Sequence, residues 1–186
     1  MPGPIETVLL WRQNIGRLRT SGIDVDARWR GSATKVGRFG IAFDGTYYID
    51  WKAQPDGLNF ESGLGRAESI AGGPFPRWKH HASLDWTFGP WGATLSQTYQ
   101  SGYLDSNVDR AGNPLPTMRR VAPYDVWDLD ARYTGFRNWT LTLGVKNVMD
   151  RAPPFTNLQG PPVGYDPTYA DPRGRMFYGA ARYAFD

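Results

Sequence analysis

The chain has 186 residues, enough for one ordinary domain; it is 40% hydrophobic and 15% aromatic and carries a net charge of +3. No apolar run approaches the ~20 residues of a membrane-spanning helix, which excludes helical membrane proteins. Cysteine is absent, which excludes a disulfide framework and a thiol metal site. The basic residues are scattered, which argues against a nucleic-acid-binding face. The first residues contain no basic segment followed by an apolar core, so no signal peptide is predicted.

Alternation of apolar and polar residues is the main structural signal, and a period of two indicates extended strands with two unlike faces. The second predicted strand is the clearest example, because the odd-numbered residues from Phe39 to Trp51 are apolar or Gly while Asp44 and Asp50 lie on the other face. Gly22 in the first strand predicts a bulge or bend. The sequence predicts seven strands in chain order: Leu9–Trp29, Phe39–Trp51, Trp78–Phe88, Trp91–Tyr99, Trp127–Tyr133, Trp139–Lys146 and Arg175–Phe185.

The connections between these strands alternate in length. Residues 31–37, 89–90 and 135–138 form short turns, whereas 53–75, 104–122 and 147–173 form long polar loops. A soluble β-sandwich has no reason to place all its long loops at one end, but an outer-membrane barrel has short periplasmic turns and long extracellular loops. Aromatic residues near both strand ends agree with the barrel. We therefore predict an all-β, antiparallel, up-and-down transmembrane β-barrel segment of about seven strands.

Three motifs resemble a known family. Asn14-Ile-Gly-Arg-Leu-Arg-Thr-Ser-Gly-Ile-Asp24 resembles a strand of TonB-dependent outer-membrane receptors. Gly144-Val-Lys-Asn-Val-Met-Asp-Arg-Ala-Pro-Pro-Phe155 resembles the segment after their penultimate strand. Gly164-Tyr-Asp-Pro-Thr-Tyr169 and Asp171-Pro-Arg-Gly-Arg175 resemble their final loop and the approach to their last strand.

The resemblance implies that residues 1–186 are the C-terminal part of such a receptor's β-barrel, a fragment without the plug domain. It implies location in the bacterial outer membrane and import of a scarce large ligand, such as a ferric siderophore, cobalamin or an oligosaccharide. The implied partners are outer-membrane lipid and lipopolysaccharide, the TonB complex through a missing N-terminal region, the barrel assembly machinery through the C-terminal aromatic strand, and the small-molecule ligand. No nucleic-acid partner and no cofactor are expected.

Arginine and tyrosine in the long loops are the candidate ligand-binding residues, because both types suit anionic or catecholate ligands through charge-assisted hydrogen bonds and stacking. Binding residues concentrate in loops, yet the same side chains could be solvated loop residues or lipopolysaccharide contacts. The candidates are Arg66, Tyr103, Arg110, Arg119, Arg120, Tyr165 and Tyr169.

Enzymatic and metal chemistry have no support in the sequence. His80 and His81 are adjacent, so on a strand they face opposite sides and cannot share a metal. The segment from Asp105 to Gly112 has the opening spacing of a calcium loop, but Pro116 stands where the bidentate Glu is required, which favours an Asx-rich turn. Two alternatives to the receptor stay open: a small outer-membrane barrel with a structural or adhesive role, and a soluble β-sandwich binding module.

Overall fold

The computed structural model describes residues 16–54, 58–67, 73–109, 113–157 and 164–185. All regular secondary structure in these ranges is β. The same ranges contain no helix that is long and apolar enough to cross a membrane. The strands are β1 Arg17–Arg30, β2 Arg38–Gln54, β3 Glu61–Ser62, β4 Trp78–Phe88, β5 Trp91–Gln100, β6 Tyr103–Leu104, β7 Arg120–Val121, β8 Tyr124–Tyr133, β9 Trp139–Lys146 and β10 Met176–Tyr183.

Seven long strands form one antiparallel sheet in the order β1-β2-β4-β5-β8-β9-β10, so each pairs with its neighbours along the chain. The two-residue strand β3 adds to β2, and β6 and β7 form a separate small sheet. The predicted seven-stranded, up-and-down segment is confirmed. β1 and β10 do not pair with each other, so within the described residues the sheet is open at both edges.

The strand boundaries differ little from prediction. β4 and β9 have the predicted bounds, and β8 begins three residues before the predicted Trp127. Residues 9–15 of the first predicted strand lie outside the described residues. The long connections are therefore 55–77, 101–123 and 147–175, and the short ones 31–37, 89–90 and 134–138. We call the two ends of the sheet the long-loop end and the short-turn end.

The sheet has one apolar and one polar face, as the alternation predicted. Leu95 lies opposite both Leu84 and Leu129, whereas Asp130, between Thr94 and Gly144, projects from the other face. Leu141 lies opposite Tyr133, on the face opposite Asp130. The remaining pairs keep this pattern from the short-turn end of the sheet up to the level of Ile49 in β2. The apolar face includes Ile23, Val25, Trp29, Ile41, Phe43, Leu84, Leu95, Leu129, Leu141, Leu143 and Phe177.

This apolar face is uncovered. Ile41 is 49% exposed, Leu143 71% and Phe177 74%, and no second sheet packs on it in the described part of the chain. A β-sandwich buries its apolar faces between two sheets, so this arrangement excludes the soluble module. An uncovered apolar face is what a wall facing lipid requires.

Aromatic residues edge the apolar face at both ends. At the short-turn end, Trp91 packs on Tyr133 with ring centroids 4.5 Å apart, and Trp139 packs on Tyr183 at 5.1 Å. At the long-loop end, His80 stacks on Tyr99 at 5.1 Å and donates or accepts a hydrogen bond with Gln97. We call Tyr47, Trp78, His80 and Tyr99 the upper aromatic row.

A β-bulge interrupts the pairing of β1 and β2 beside Gly22, as predicted. Ser21 lies opposite Asp50 but Gly22 lies opposite Tyr48, which leaves Ile49 as an extra residue. A Cβ on Gly22 would meet the carbonyl oxygen of Tyr47 at 2.8 Å, so glycine permits this close approach.

The bulge corrects one prediction. Trp51 does not share the face of Phe39 and Tyr47, because the extra residue shifts the parity of β2. Trp51 instead projects from the same side of the sheet as Tyr48, the side of the polar face. The rings of Trp51 and Tyr48 both contact the Phe75 ring, with centroid distances of 5.1 and 4.6 Å.

Beyond the bulge the character of the two faces is reversed. The continuation of the apolar face carries Arg17, Arg19 and Lys52, and Lys52 forms a 3.0 Å ion pair with Asp50. The continuation of the polar face carries Trp51 and Ala53, which are buried. Charged side chains facing hydrocarbon are costly, so the reversal places the upper limit of a lipid-facing surface close to Ile49.

Leu143 tests the facing most directly, because it lies between Ala131 and Gly179 near the middle of the apolar face. Leu143→Arg is expected to lower the free energy of unfolding of the bilayer-inserted barrel by about 2–4 kcal/mol. Thr142→Arg, one residue away on the polar face, is the matched control and should change it little. Denaturant titrations of folding in lipid bilayers measure both, and equal losses would refute the assigned facing.

Candidate functional site in the long-loop layer

The buried hydrophobic residues lie at the long-loop end of the sheet, in the strand ends and the long loops. One cluster contains Trp51, Ala53 and Leu64, with Tyr48 and Phe75 packed against it. A second cluster joins residues from all three long connections to β8: Ala67, Tyr103, Val121, Tyr124, Tyr169 and Ala170. The loops therefore share a core of their own, which we call the loop layer.

A small sheet organises this layer. β6 pairs with β7, placing Leu104 opposite Arg120, and the segment around Arg66 runs parallel to β6 on its other side. The amide of Ala67 donates to the carbonyl of Leu104 at 2.8 Å, and the amide of Leu104 donates to Gly65 at 2.8 Å. Because directly paired residues share a face, Arg66, Leu104 and Arg120 lie side by side on one face.

A buried carboxylate ties the third loop to this small sheet. The side chain of Asp105 is fully buried and accepts hydrogen bonds from the hydroxyl of Thr156 at 2.5 Å and the amide of Asn157 at 3.0 Å. It also pairs with the guanidinium of Arg119 at 3.4 Å. Arg119 in turn donates to the carbonyl of Phe155 at 2.5 Å and lies over the Phe155 ring. A buried charge with this many partners fixes the relative position of the segments that supply them.

Two tyrosines form the centre of the second cluster. Tyr103 and Tyr169 meet edge to face with centroids 4.9 Å apart. The Tyr169 hydroxyl lies 3.1–3.3 Å from the carbonyl oxygens of Gln100, Ser101 and Ala122, which share its single proton as acceptors, and the side-chain amide of Gln100 donates to the Tyr169 carbonyl. Burial raises the pKa of Tyr103 to about 12 and also raises the pKa of Tyr169. Both phenols are therefore neutral at physiological pH.

The last loop is also fixed where it leaves β9 and returns to β10. Asn147 is buried, has a φ of 51°, and exchanges two side-chain hydrogen bonds with the backbone of Arg151. Asp150 accepts a 2.8 Å hydrogen bond from the amide of Arg175. A Cβ on Gly174, where φ is 67°, would meet the same carboxylate at 2.9 Å, so the close approach requires glycine.

The loop layer leaves two clefts over the polar face. One, of 610 Å³, lies between Thr98 and Gln100 on the sheet and residues 167–173 of the last loop. The other, of 190 Å³, is lined by Asp128 and Lys146 on the sheet and by Asp171 and Arg173. Hydrogen bonds from Arg173 hold the pKa of Asp171 down at about 2, so both groups are charged over the whole physiological range.

The sequence of residues 6–148 matches the family described as TonB dependent receptor-like, beta-barrel. This chain belongs to the β-barrel family of TonB-dependent receptors. It is therefore an outer-membrane protein of a receptor family that is not a class of enzymes. Its apolar face is the lipid-facing wall, its long-loop end is extracellular, and its short-turn end is periplasmic.

Solved structures agree with this fold. A mutant of the ferric enterobactin receptor from Pseudomonas aeruginosa is 21% identical and covers 87% of this chain with a TM-score of 0.54. Another mutant of that receptor, in complex with enterobactin, is 21% identical and has a TM-score of 0.55 over the same share. This chain spans 22% of the length of each receptor chain. No curated protein sequence matches it.

The structure brings together most of the predicted ligand-binding residues of this receptor segment. Arg66, Tyr103, Arg119 and Arg120 converge on the small loop sheet, and Tyr169 joins them from the last loop. Tyr103 and Tyr169 are 0% and 3% exposed, and Arg119 binds Asp105, so these three side chains contribute to the loop core. Arg66 and Arg120 are exposed, Tyr165 is half-buried, and Arg110 lies outside the described residues.

Sequence reasoning missed the cleft residues Lys146, Asp171 and Arg173, and the role of Asp105. Lys146 and Asp128 alternate with apolar residues along their strands, which places them on the polar face, but nothing in their spacing indicates that the last loop folds over them. Asp105 lies in the predicted Asx-rich turn, but its carboxylate accepts a 2.9 Å hydrogen bond from the amide of the next residue, Ser106, rather than from the amide two residues on. Its contact with Thr156 spans 51 residues and has no local signal.

Asp105→Asn tests whether this carboxylate holds the loops together. The variant keeps the shape but loses the charge that faces Arg119, Thr156 and Asn157, so local opening of the segment around Asn157 should become easier by about 1.5–3 kcal/mol. Hydrogen exchange of the Asn157 amide measures this. Asp109→Asn, whose carboxylate accepts an exposed hydrogen bond from the amide of Asn113, is the control, and similar exchange in both variants would contradict the assignment.

Alkaline pH should loosen the loop layer. An unfolded tyrosine ionises near its ordinary value of about 10, whereas Tyr103 in the folded layer ionises only at about 12. The contribution of the Tyr103 phenol to the free energy of unfolding is therefore fully present below pH 10. It is lost as the pH rises above 10, because there only the unfolded form releases the proton. Protease cleavage of the loops against pH measures the loss. Tyr103→Phe should make the loss smaller, because only the contribution of Tyr169 remains, and Tyr165→Phe should leave it unchanged.

Proposed function

We propose that residues 1–186 form the C-terminal part of the β-barrel of an outer-membrane receptor that imports a ferric siderophore. The observation that carries the proposal is the shared fold with a receptor whose structure contains enterobactin, over 87% of this chain. The loops of this chain fold over the polar face and leave clefts there. Such a position, facing the interior of a barrel from the extracellular side, is where an imported ligand has to pass.

The clefts offer charged and aromatic groups to an oxygen-rich ligand. Lys146 and Arg173 supply cationic donors beside the carboxylates of Asp128 and Asp171, the second of which pairs with Arg173, and Tyr124 supplies an aromatic surface between the two clefts. Arginine and lysine bind carboxylate and catecholate oxygens by charge-assisted hydrogen bonds. Cobalamin and oligosaccharides, the other ligand classes that the sequence left open, offer less negative charge to these groups.

The second candidate, a small closed barrel with a structural or adhesive role, is disfavoured by the sheet edges. Within the part of the chain that the structure describes, β1 and β10 each pair on one side only, and unpaired backbone groups in hydrocarbon cost several kcal/mol each. A complete wall therefore requires further strands at both edges. We propose that those strands, a plug and a TonB-contacting segment belong to the complete receptor, with barrel assembly acting through the aromatic last strand.

Replacing both cleft cations tests the ligand class. In the complete receptor that carries these strands, Lys146→Gln with Arg173→Gln should weaken binding of a ferric catecholate siderophore by about tenfold or more for each lost charge-assisted contact. Titration of the purified receptor with the ferric siderophore, cobalamin and a neutral oligosaccharide measures affinity and selectivity.

Arg137→Gln with Arg182→Gln is the charge-matched control, because both residues lie at the periplasmic end. Unchanged siderophore affinity in the cleft variant would remove the clefts from the proposed site. Tight binding of cobalamin or the oligosaccharide, with no binding of the ferric siderophore, would show that the receptor's ligand belongs to that other class.

A further inference from the structure

We propose that Asp171 is a specificity-determining residue of the two clefts over the polar face. Its carboxylate occupies the guanidinium of Arg173, so a ligand gains this cation only by displacing an internal competitor. The inference rests on the proposed function, because it concerns how the same clefts select their ligand. It follows from the position of the ion pair, its geometry, its exposure and the charges around it.

The ion pair stands where the two clefts meet. Asp171 and Arg173 line both the 610 Å³ cleft and the 190 Å³ cleft, as do Tyr124 and Val126 of β8. A ligand group in either cleft therefore lies next to this pair.

The Asp171 carboxylate uses both of its oxygens on Arg173. The guanidinium Nε–H is shared between Oδ1 at 3.0 Å and Oδ2 at 2.9 Å, and Nη2 donates to Oδ2 at 2.5 Å. Arginine binds carboxylates and phosphates through the same fork of donors. The internal carboxylate thus occupies the donors that an anionic ligand group would use.

The backbone on both sides of Arg173 is fixed, so its side chain alone can change partner. The Asp171 carbonyl accepts a 3.1 Å hydrogen bond from the Tyr124 hydroxyl, and Asp171 Oδ1 accepts one from the Arg173 amide at 3.0 Å. Beyond Arg173, the amide of Arg175 donates to Asp150 at 2.8 Å. The competitor is held beside the guanidinium and loses no translational freedom when it binds there, whereas a ligand does.

The ion pair is also exposed enough to be displaced. The side chains of Arg173 and Asp171 are 67% and 48% exposed, so an incoming anion can reach the guanidinium and water can solvate the released carboxylate. An exposed pair is weak, and a ligand with more negative charge outcompetes it. A buried pair would keep Arg173 for itself, and an unpaired Arg173 would be open to every anion.

The competitor balances the charge of the smaller cleft. The charged groups of its lining are two cations, Lys146 and Arg173, and two carboxylates, Asp128 and Asp171. The lining therefore has no net charge that would attract every anion. A monocarboxylate offers Arg173 no more than Asp171 does, whereas a catecholate or phosphate dianion offers two oxygens with a higher charge. Because Arg173 holds the pKa of Asp171 at about 2, this discrimination stays constant across physiological pH.

Chemical modification of arginine tests the competition without a siderophore. In the complete receptor, Asp171→Asn keeps an oxygen for the Arg173 amide but removes the charge. Phenylglyoxal should then modify Arg173 about two- to fivefold faster, the fold-change of an exposed ion pair. Pyrophosphate should protect Arg173 at an about two- to fivefold lower concentration than in wild type. Mass spectrometry of the loop peptide measures both effects, and the exposed Arg175 is the internal control whose rate should not change.

Ligand titration tests the selectivity. Asp171→Asn should bind the ferric catecholate siderophore about two- to fivefold more tightly than wild type. Asp128→Asn is the matched control, because it removes the same charge from the smaller cleft without freeing Arg173. It should leave the modification rate of Arg173 unchanged and give a smaller gain in affinity.

Three outcomes would overturn the proposal: an unchanged modification rate of Arg173 in Asp171→Asn, an unchanged siderophore affinity in that variant, or an equal gain in affinity in Asp128→Asn. The last would show a general effect of cleft charge rather than competition for Arg173. Absence of siderophore binding in wild type, with faster modification and stronger pyrophosphate protection in Asp171→Asn, would refute only the proposed function.

Discussion

Backbone groups of a strand in hydrocarbon have to be paired, and its outward side chains have to be apolar; the rest of this structure depends on these two requirements. Together these requirements permit a long antiparallel sheet in which apolar and polar side chains alternate along each strand, and the seven long strands form such a sheet. The extra residue Ile49 in β2 breaks the period at one level only. Above that level the outward side chains are charged and the inward ones are buried, so the bulge lets a single strand satisfy lipid below and water above.

A sheet that presents its apolar face to lipid has no core beneath it, so the extracellular loops need a core of their own. Tyr103 and Tyr169 supply its aromatic centre, and the Asp105 carboxylate links two loops across 51 residues of sequence. Such a layer is held in one arrangement before any ligand arrives. A pre-organised surface loses less conformational entropy on binding than a set of mobile loops, which would favour the ligand binding proposed for the complete receptor.

The sheet could be predicted from the sequence because its rules are local. Alternation, turn residues and loop lengths act within a few positions, and even the bulge had a local signal in Gly22. Trp51 was placed on the wrong face because Gly22 indicated a bulge without showing that the extra residue was Ile49. The loop layer was less predictable, because location in a long loop does not distinguish the exposed Arg66 and Arg120 from the buried Tyr103 and Tyr169. Burial there depends on contacts between distant segments, which no spacing reveals.

Arg119 and Arg120 illustrate how the loop layer divides its chemistry between two faces. They are neighbours at β7, so their side chains project to opposite sides. The buried Asp105 carboxylate holds Arg119 on one side of the small loop sheet, so Arg120 projects from the other side, where it is exposed. A slip of one residue in β7 would exchange the two arginines and leave the Asp105 charge without its partner. Because an unpaired buried charge is costly, Asp105 enforces the register of β7 that leaves Arg120 exposed.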